Sequence, residues 1–252
     1  MLIDSHCHIH DSEFYPESRE QAYFQSREAG VVMIAVGTDE RSSREAVEFA
    51  ESNDGVYAVV GVHPHEVKRG WDGIARLLAE GHDKIVGIGE IGLDYYYSHS
   101  PVATQQRALK EQLTLAKHYN LPVSFHVREA FDDFWPIFDA IPGVRGVLHS
   151  FTDTAVNMQK GIDRGLFIGI NGISTFTKDP AQQQLYKEVP LHNILLETDA
   201  PFLTPVPFRG KINIPAYVER VAAHQAMLKG VPVEDVTSTT TVNATKLFGI
   251  SL

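Results

Sequence analysis

Two histidines one residue apart, His6 and His8 of Asp4-Ser5-His6-Cys7-His8, follow the short apolar start Met1-Leu2-Ile3. Alternate side chains of a strand point the same way, so these imidazoles project together and can grip one metal ion, with Cys7 on the opposite side. Taken alone, the pair reads more readily as two polar residues near a chain start. Four further metal-competent residues change that balance: Glu90, His126, His149 and Asp199 each stand just after an apolar, strand-like run. Imidazole together with carboxylate suits borderline divalent ions such as Zn²⁺, Mn²⁺ or Co²⁺, and the carboxylates also admit Mg²⁺. Four histidines and two carboxylates exceed the needs of one tetrahedral ion, and two ions about 3.5–4 Å apart fit the set better. Glu90, with two oxygens and a central place in the set, is the natural bridge between them.

Residues so far apart in the chain need a scaffold that gathers them. Apolar, β-rich runs recur at 1–6, 31–36, 56–62, 84–88, 122–126, 145–149, 166–170 and 194–197, with room for a helix between neighbours. The segments 19–29, 41–52 and 104–119 carry helical patterns. The last is the clearest, with Ala108, Leu109, Leu113, Leu115 and Ala116 forming an apolar stripe before Asn120-Leu121-Pro122 stops it. Strand and helix alternating eight times argue for parallel pairing, and about 250 residues is the size of a single-domain (β/α)8 TIM barrel. An open, doubly wound sheet is the alternative. Barrels of this kind keep their active sites at the C-terminal ends of the strands, where all six candidate ligands fall.

The 252 residues are 43% hydrophobic and carry 22 Lys+Arg against 32 Asp+Glu, a formal net charge of −10. A surface that acidic excludes indiscriminate nucleic-acid binding, so a phosphodiester substrate would have to be drawn by metal ions and a few local basic residues. One cysteine rules out an internal disulfide and suits a reducing compartment. No secretory leader and no apolar run of about 18 residues is present, so a cytoplasmic protein that does not enter membranes is expected. With no heptad pattern or interface strip, a monomer is expected.

The candidate ligands lie in segments that resemble the TatD family of metal-dependent deoxyribonucleases, within the amidohydrolase-like barrels. The matching stretches are Asp4-Ser5-His6-Cys7-His8, Gly61-Val62-His63-Pro64, Gly87-Ile88-Gly89-Glu90-Ile91-Gly92-Leu93-Asp94-Tyr95-Tyr96, Leu121 through Arg128, Leu195-Leu196-Glu197-Thr198-Asp199-Ala200-Pro201, and Arg209-Gly210-Lys211 with Asn213 and Pro215. The resemblance implies metal ligands at His6, His8, Glu90, His126, His149 and Asp199. It departs from the family pattern at Ser150-Phe151-Thr152-Asp153, where a glycine often ends the segment, and at Ile214, where a glutamate is frequent. Many barrels of this superfamily bridge their ions with a modified lysine. Here Lys84 stands at the start of strand 4, the wrong end, which leaves the bridge to Glu90.

The chemistry expected is hydrolysis by two divalent ions, Mg²⁺, Mn²⁺ or Zn²⁺, that activate water to attack phosphorus in line. His6, His8 and Asp199 would hold one ion, His126 and His149 the other, with Glu90 shared and Asp199 as the base. His63 reads either as a phosphate ligand or leaving-group acid, or as a loop histidine braced by Pro64. Arg128, on the strand face of His126, could clamp a phosphate oxygen or sit in a rim salt bridge. Arg209 and Lys211 are candidates for phosphate contacts or ordinary solvated charge. Glu197 is expected to support the site from behind, Asp94 to anchor a loop and His65 to be a surface residue. Tyr95-Tyr96-Tyr97 could stack a base or pack the loop. The resemblance implies a 3′-5′ exonuclease on single-stranded DNA ends. The alternative is a hydrolase of a small amide, lactone or phosphoester.

Overall fold

β-branched runs and amphipathic stretches alternate along the chain, and every run marked above as a strand becomes one. The structure, a computed structural model, describes residues 1–15, 17–97 and 99–251. It divides into two compact units, one of residues 1–35 with 150–252 and the other of residues 36–149.

The first unit holds β1 (Leu2–Cys7), α1 (Arg19–Glu28) and all but the last residue of β2 (Val31–Val36). In the second follow α2 (Glu40–Ser52), β3 (Val56–Val60), α3 (Asp72–Ala79), β4 (Ile85–Asp94), α4 (Val102–Tyr119), β5 (Val123–Arg128), α5 (Phe131–Asp139) and β6 (Gly146–Leu148). The chain then completes the first unit with α6 (Ala155–Asp163), β7 (Phe167–Ile170), the single turn α7 (Ile173–Phe176), α8 (Pro180–Glu188), β8 (Ile194–Leu196), α9 (Val218–Lys229) and α10 (Val233–Phe248).

Within the first unit β7 pairs with β8 and β1 with β2, all parallel, while Cys7 bridges to Ala200 just past β8. The second unit has β3, β4, β5 and β6 side by side, also parallel. Parallel strands are covered on both faces, which is why they are continuously apolar: all six residues of β2 are buried. Some helix starts carry side-chain caps. Asp39 accepts a hydrogen bond from the Ser42 N–H at 2.7 Å, and Thr154 and Asp179 cap α6 and α8 in the same way.

Two strands depart from plain pleating. Between Asp4 and Cys7 on β1, and between Ile88 and Ile91 on β4, three residue steps face two on the neighbouring strand. Each is a β-bulge, a device that re-aims a side chain, and the bulged stretches carry His6 and Glu90. The sequence expectation that strand 4 ends at Ile88 therefore needs correction: β4 continues through Glu90 to Asp94. Likewise His126 lies inside β5, which runs to Arg128. Among the described residues, no helix is long and apolar enough to cross a membrane.

Candidate metal centre

In the first unit, Asp199 Oδ1 stands 3.8 Å from His6 Nε2 and 3.4 Å from His8 Nε2. Backbone bonds lock the three together: the Asp199 N–H donates to His6 O at 2.9 Å and the His8 N–H to Ala200 O at 2.7 Å. Asp199 adopts a left-handed backbone (φ 58), a conformation open to aspartate more than to most residues. The preceding Thr198 is pinned from both sides. Its N–H and hydroxyl donate to the two oxygens of buried Asp4, and its carbonyl accepts from Asn213 Nδ2 at 3.0 Å. Burial lifts the Asp4 carboxyl to about 8, although the Thr198 hydrogen bonds pull the other way. Glu197 is fully buried and accepts the Ser150 N–H at 2.6 Å, with Asn171 Nδ2 at 3.4 Å, so it holds the backbone immediately after His149. Cys7 is buried and its Sγ contacts Ile34 O at 3.4 Å, the core role expected of it.

In the second unit, three imidazoles converge on one carboxylate oxygen. Glu90 Oε1 lies 2.9 Å from His126 Nδ1, 3.5 Å from His63 Nε2 and 3.9 Å from His149 Nε2. Glu90, His63 and His149 are buried. Glycines at 89 and 92 let the stretch of β4 that carries Glu90 lie close to β5. A Cβ on Gly89 would stand 2.7 Å from the Ser124 carbonyl oxygen, and one on Gly92 would land on that of His126. Only glycine lets β4 approach β5 so closely.

His63 follows β3 by three residues and its N–H donates to Thr38 O at 2.8 Å. Its Nδ1 accepts the His65 N–H at 3.1 Å, which leaves the ring proton on Nε2, facing Glu90. Burial holds its pKa well below the ordinary value despite the nearby Glu90, so it is a neutral N–H donor. His65, expected at the surface, belongs to the cluster instead: its Nε2 is 2.9 Å from Asp94 Oδ2 and its ring meets those of His63 and His126 edge-on. Asp94 anchors its loop as expected, taking the Tyr97 N–H at 2.9 Å, and also lies 2.8 Å from His126 Nε2. Burial works against a charged His126, yet the hydrogen bonds to Asp94 and Glu90 win and raise it to about 9.

The donor set fits divalent ions. Ligand atoms that each sit about 2.0–2.2 Å from one ion stand roughly 3–3.5 Å from one another, close to the separations around Glu90 Oε1. His63, Glu90 and His126 form one such group. Lys84 is occupied elsewhere, donating to Val56 O at 3.3 Å and lying over the Tyr57 ring.

The basic residues have partners of their own. The Arg128 guanidinium lies over the rings of Tyr96 and Tyr97, 4.0 and 4.9 Å from their centroids, rather than in a salt bridge with Glu129. Tyr96 and Tyr97 are exposed, while the Tyr95 hydroxyl donates to Asp133 at 2.8 Å. Arg209 donates to Thr204 O at 2.7 Å and stacks on Phe176, and Lys211 stands over Phe208.

The whole chain superposes on known barrels. The crystal structure of YjjV, a TatD homologue from Escherichia coli K12, matches with a TM-score of 0.91 and 29% identity, covering 99% of this chain and 98% of that one. A TatD-family hydrolase from Entamoeba histolytica gives a TM-score of 0.88 at 21% identity, which bears on the fold alone. The fold is thus the (β/α)8 TIM barrel, and with these histidine and carboxylate clusters it defines a metal-dependent hydrolase. A family model described as "TatD related DNase" matches residues 3–249, and the chain belongs to the TatD family. Over its full length it is 36% identical to the "uncharacterized metal-dependent hydrolase YabD" of Bacillus subtilis strain 168, also covered completely. It is 34% identical to the "3'-5' ssDNA/RNA exonuclease TatD" of Cronobacter sakazakii, covering 98% of this chain and 97% of that protein.

Proposed function

We propose that this hydrolase cleaves phosphodiester bonds in single-stranded nucleic acid, removing nucleotides from the 3′ end, with DNA as the substrate we would test first. The observation that carries the reading is the convergence of three imidazoles on Glu90 Oε1, in a chain whose relatives include proteins named as single-strand exonucleases. In this proposal His6, His8 and Asp199 would hold one divalent ion, His126 and His149 would hold a second, and Glu90 would serve as a ligand as well. Such ions supply Lewis acidity and water of lowered pKa. Asp199 accepts the water's proton on its carboxylate. His63, neutral with its proton on Nε2, hydrogen-bonds a phosphoryl oxygen, a task its depressed pKa suits better than acid catalysis. Arg128 is our candidate for a phosphate clamp, and Arg209 and Lys211 for contacts further along the strand. We place the protein in the cytoplasm as a monomer.

The test is digestion of a 5′-labelled single-stranded DNA oligonucleotide, with an RNA of the same sequence alongside, in Mg²⁺, Mn²⁺ or Zn²⁺. A ladder shortening from the 3′ end, lost in Glu90→Ala, supports the reading. Absence of cleavage by a metal-loaded wild type would favour the second reading, hydrolysis of a small ester or amide. The net charge of −10 is the observation on that side.

A further inference from the structure

Asp94 is held more tightly than loop anchoring requires. Gln105, itself buried, grips both backbone groups of the residue: its Oε1 accepts the Asp94 N–H at 2.8 Å and its Nε2 donates to Asp94 O at 3.1 Å. The same Nε2 donates to Ser100 O at 2.9 Å, tying the grip to the loop before α4. The Asp94 side chain is 1% exposed. Its Oδ1 takes the Tyr97 N–H, and its Oδ2 stands between two ring nitrogens, His126 Nε2 at 2.8 Å and His65 Nε2 at 2.9 Å. Each of these contacts requires Asp94 to accept. His126 must therefore carry a proton on Nε2; its other nitrogen, Nδ1, faces Glu90 Oε1 at 2.9 Å, donates there in the metal-free protein, and is the one that must give up its proton to take an ion.

An imidazole can give a metal ion only a nitrogen that bears no proton, so whatever fixes the tautomer also chooses the ligating atom. We propose that Asp94 is the positioning residue of this centre, holding His126 in the Nε2–H tautomer so that Nδ1 is the atom it offers a divalent ion. His65, on the same oxygen, braces Asp94 laterally and does not itself choose the tautomer. The proposal rests on His126 being a ligand, as set out above, and it is independent of what the substrate is.

Asp94→Asn tests it with little change of shape. The amide oxygen can still take the Tyr97 N–H, but an NH₂ then faces His126 Nε2. That donor stabilises the opposite tautomer, with the proton on Nδ1. Zinc affinity of the metal-free protein, read by competition with a chromophoric chelator, should fall about 10–100-fold for one class of site in Asp94→Asn, the scale seen when such outer partners are lost. The change in His65→Ala should stay below about 3-fold. Unchanged zinc binding in Asp94→Asn, or an equal loss in His65→Ala, overturns the proposal.

Should Asp94→Asn fail to fold, long-range ¹H–¹⁵N spectra of the zinc-loaded wild type decide. A metal-bound Nδ1 and a protonated Nε2 on His126 support the proposal, and a metal-bound Nε2 refutes it. A His126 with no zinc on either nitrogen would refute the ligand assignment itself, a failure distinct from Asp94→Asn binding zinc as the wild type does.

Discussion

At the scale of single residues, His63 shows how a tautomer limits a role. Its Nδ1 is committed to the His65 N–H, so only an Nε2–H is on offer. A neutral donor to a charged phosphoryl oxygen contributes about 1.5–3 kcal/mol. We therefore expect His63→Ala to lower kcat/KM by about 10–100-fold while metal content, measured by atomic emission, stays at the wild-type level. A drop in metal content would instead make His63 a ligand. The six ligand candidates were legible in the sequence because each is a chemically distinctive residue at the end of an apolar run. His65 and the inner role of Asp94 were not. Their signal is a mutual distance, 2.9 Å between residues 29 apart in the chain, and no periodicity records such a distance.

At the scale of elements, the strand pattern was legible from β-branched runs, but the length of β4 was not. Glycine-rich sequence reads as the end of a strand. Here Gly89 and Gly92 instead permit a close approach to β5, and the bulge between Ile88 and Ile91 lies in the same stretch. Gly92→Ala should accordingly be costly. Its methyl would fall on the His126 carbonyl oxygen, and its backbone (φ 157) is one that L-residues rarely adopt. Overpacking of this kind costs about 1–3 kcal/mol, and a Tm fall of roughly 2–12 °C in a chain of this size is the expected result. A Tm within about 1 °C of wild type would show that β4 can retreat from β5.

A second element-scale device lies far from the metal centre. His82, after α3, bonds Glu51 of α2 at 2.7 Å and Glu80 at 3.1 Å, while Glu80 also pairs with Arg44 of α2. The hydrogen bonds to Glu51 and Glu80 raise the His82 pKa. A raised folded pKa means that the folded state holds the proton more firmly than the unfolded chain does. The stabilisation is complete below the unfolded value of about 6.5 and is lost as pH rises through the folded value. The Tm gap between wild type and His82→Gln should thus be wider at pH 6 than at pH 8, as thermal melts in low salt can show. A gap independent of pH would mean that the link is not electrostatic.

For the whole molecule, the balance of 22 basic against 32 acidic residues sets how a polyanion is met. A general surface attraction is excluded, so binding of a single strand must rely on the ions and on the few cations that we assign to phosphates, Arg128, Arg209 and Lys211. Each phosphate neutralised on a single strand contributes about −0.7 to the slope of log K against log salt. Three contacts give a slope of about −2, or roughly a 20-fold loss of affinity between 50 and 200 mM salt. Basic nucleic-acid binders with many more contacts fall far more steeply. Fluorescence anisotropy of a labelled, phosphorothioate-linked oligonucleotide on the metal-loaded wild type would measure this slope without turnover. A slope near −2 that shallows by about 0.7 in Arg128→Ala fits a strand held at a few points. A slope near zero fits a small neutral substrate. One of −5 or beyond would require a basic track that the composition does not supply.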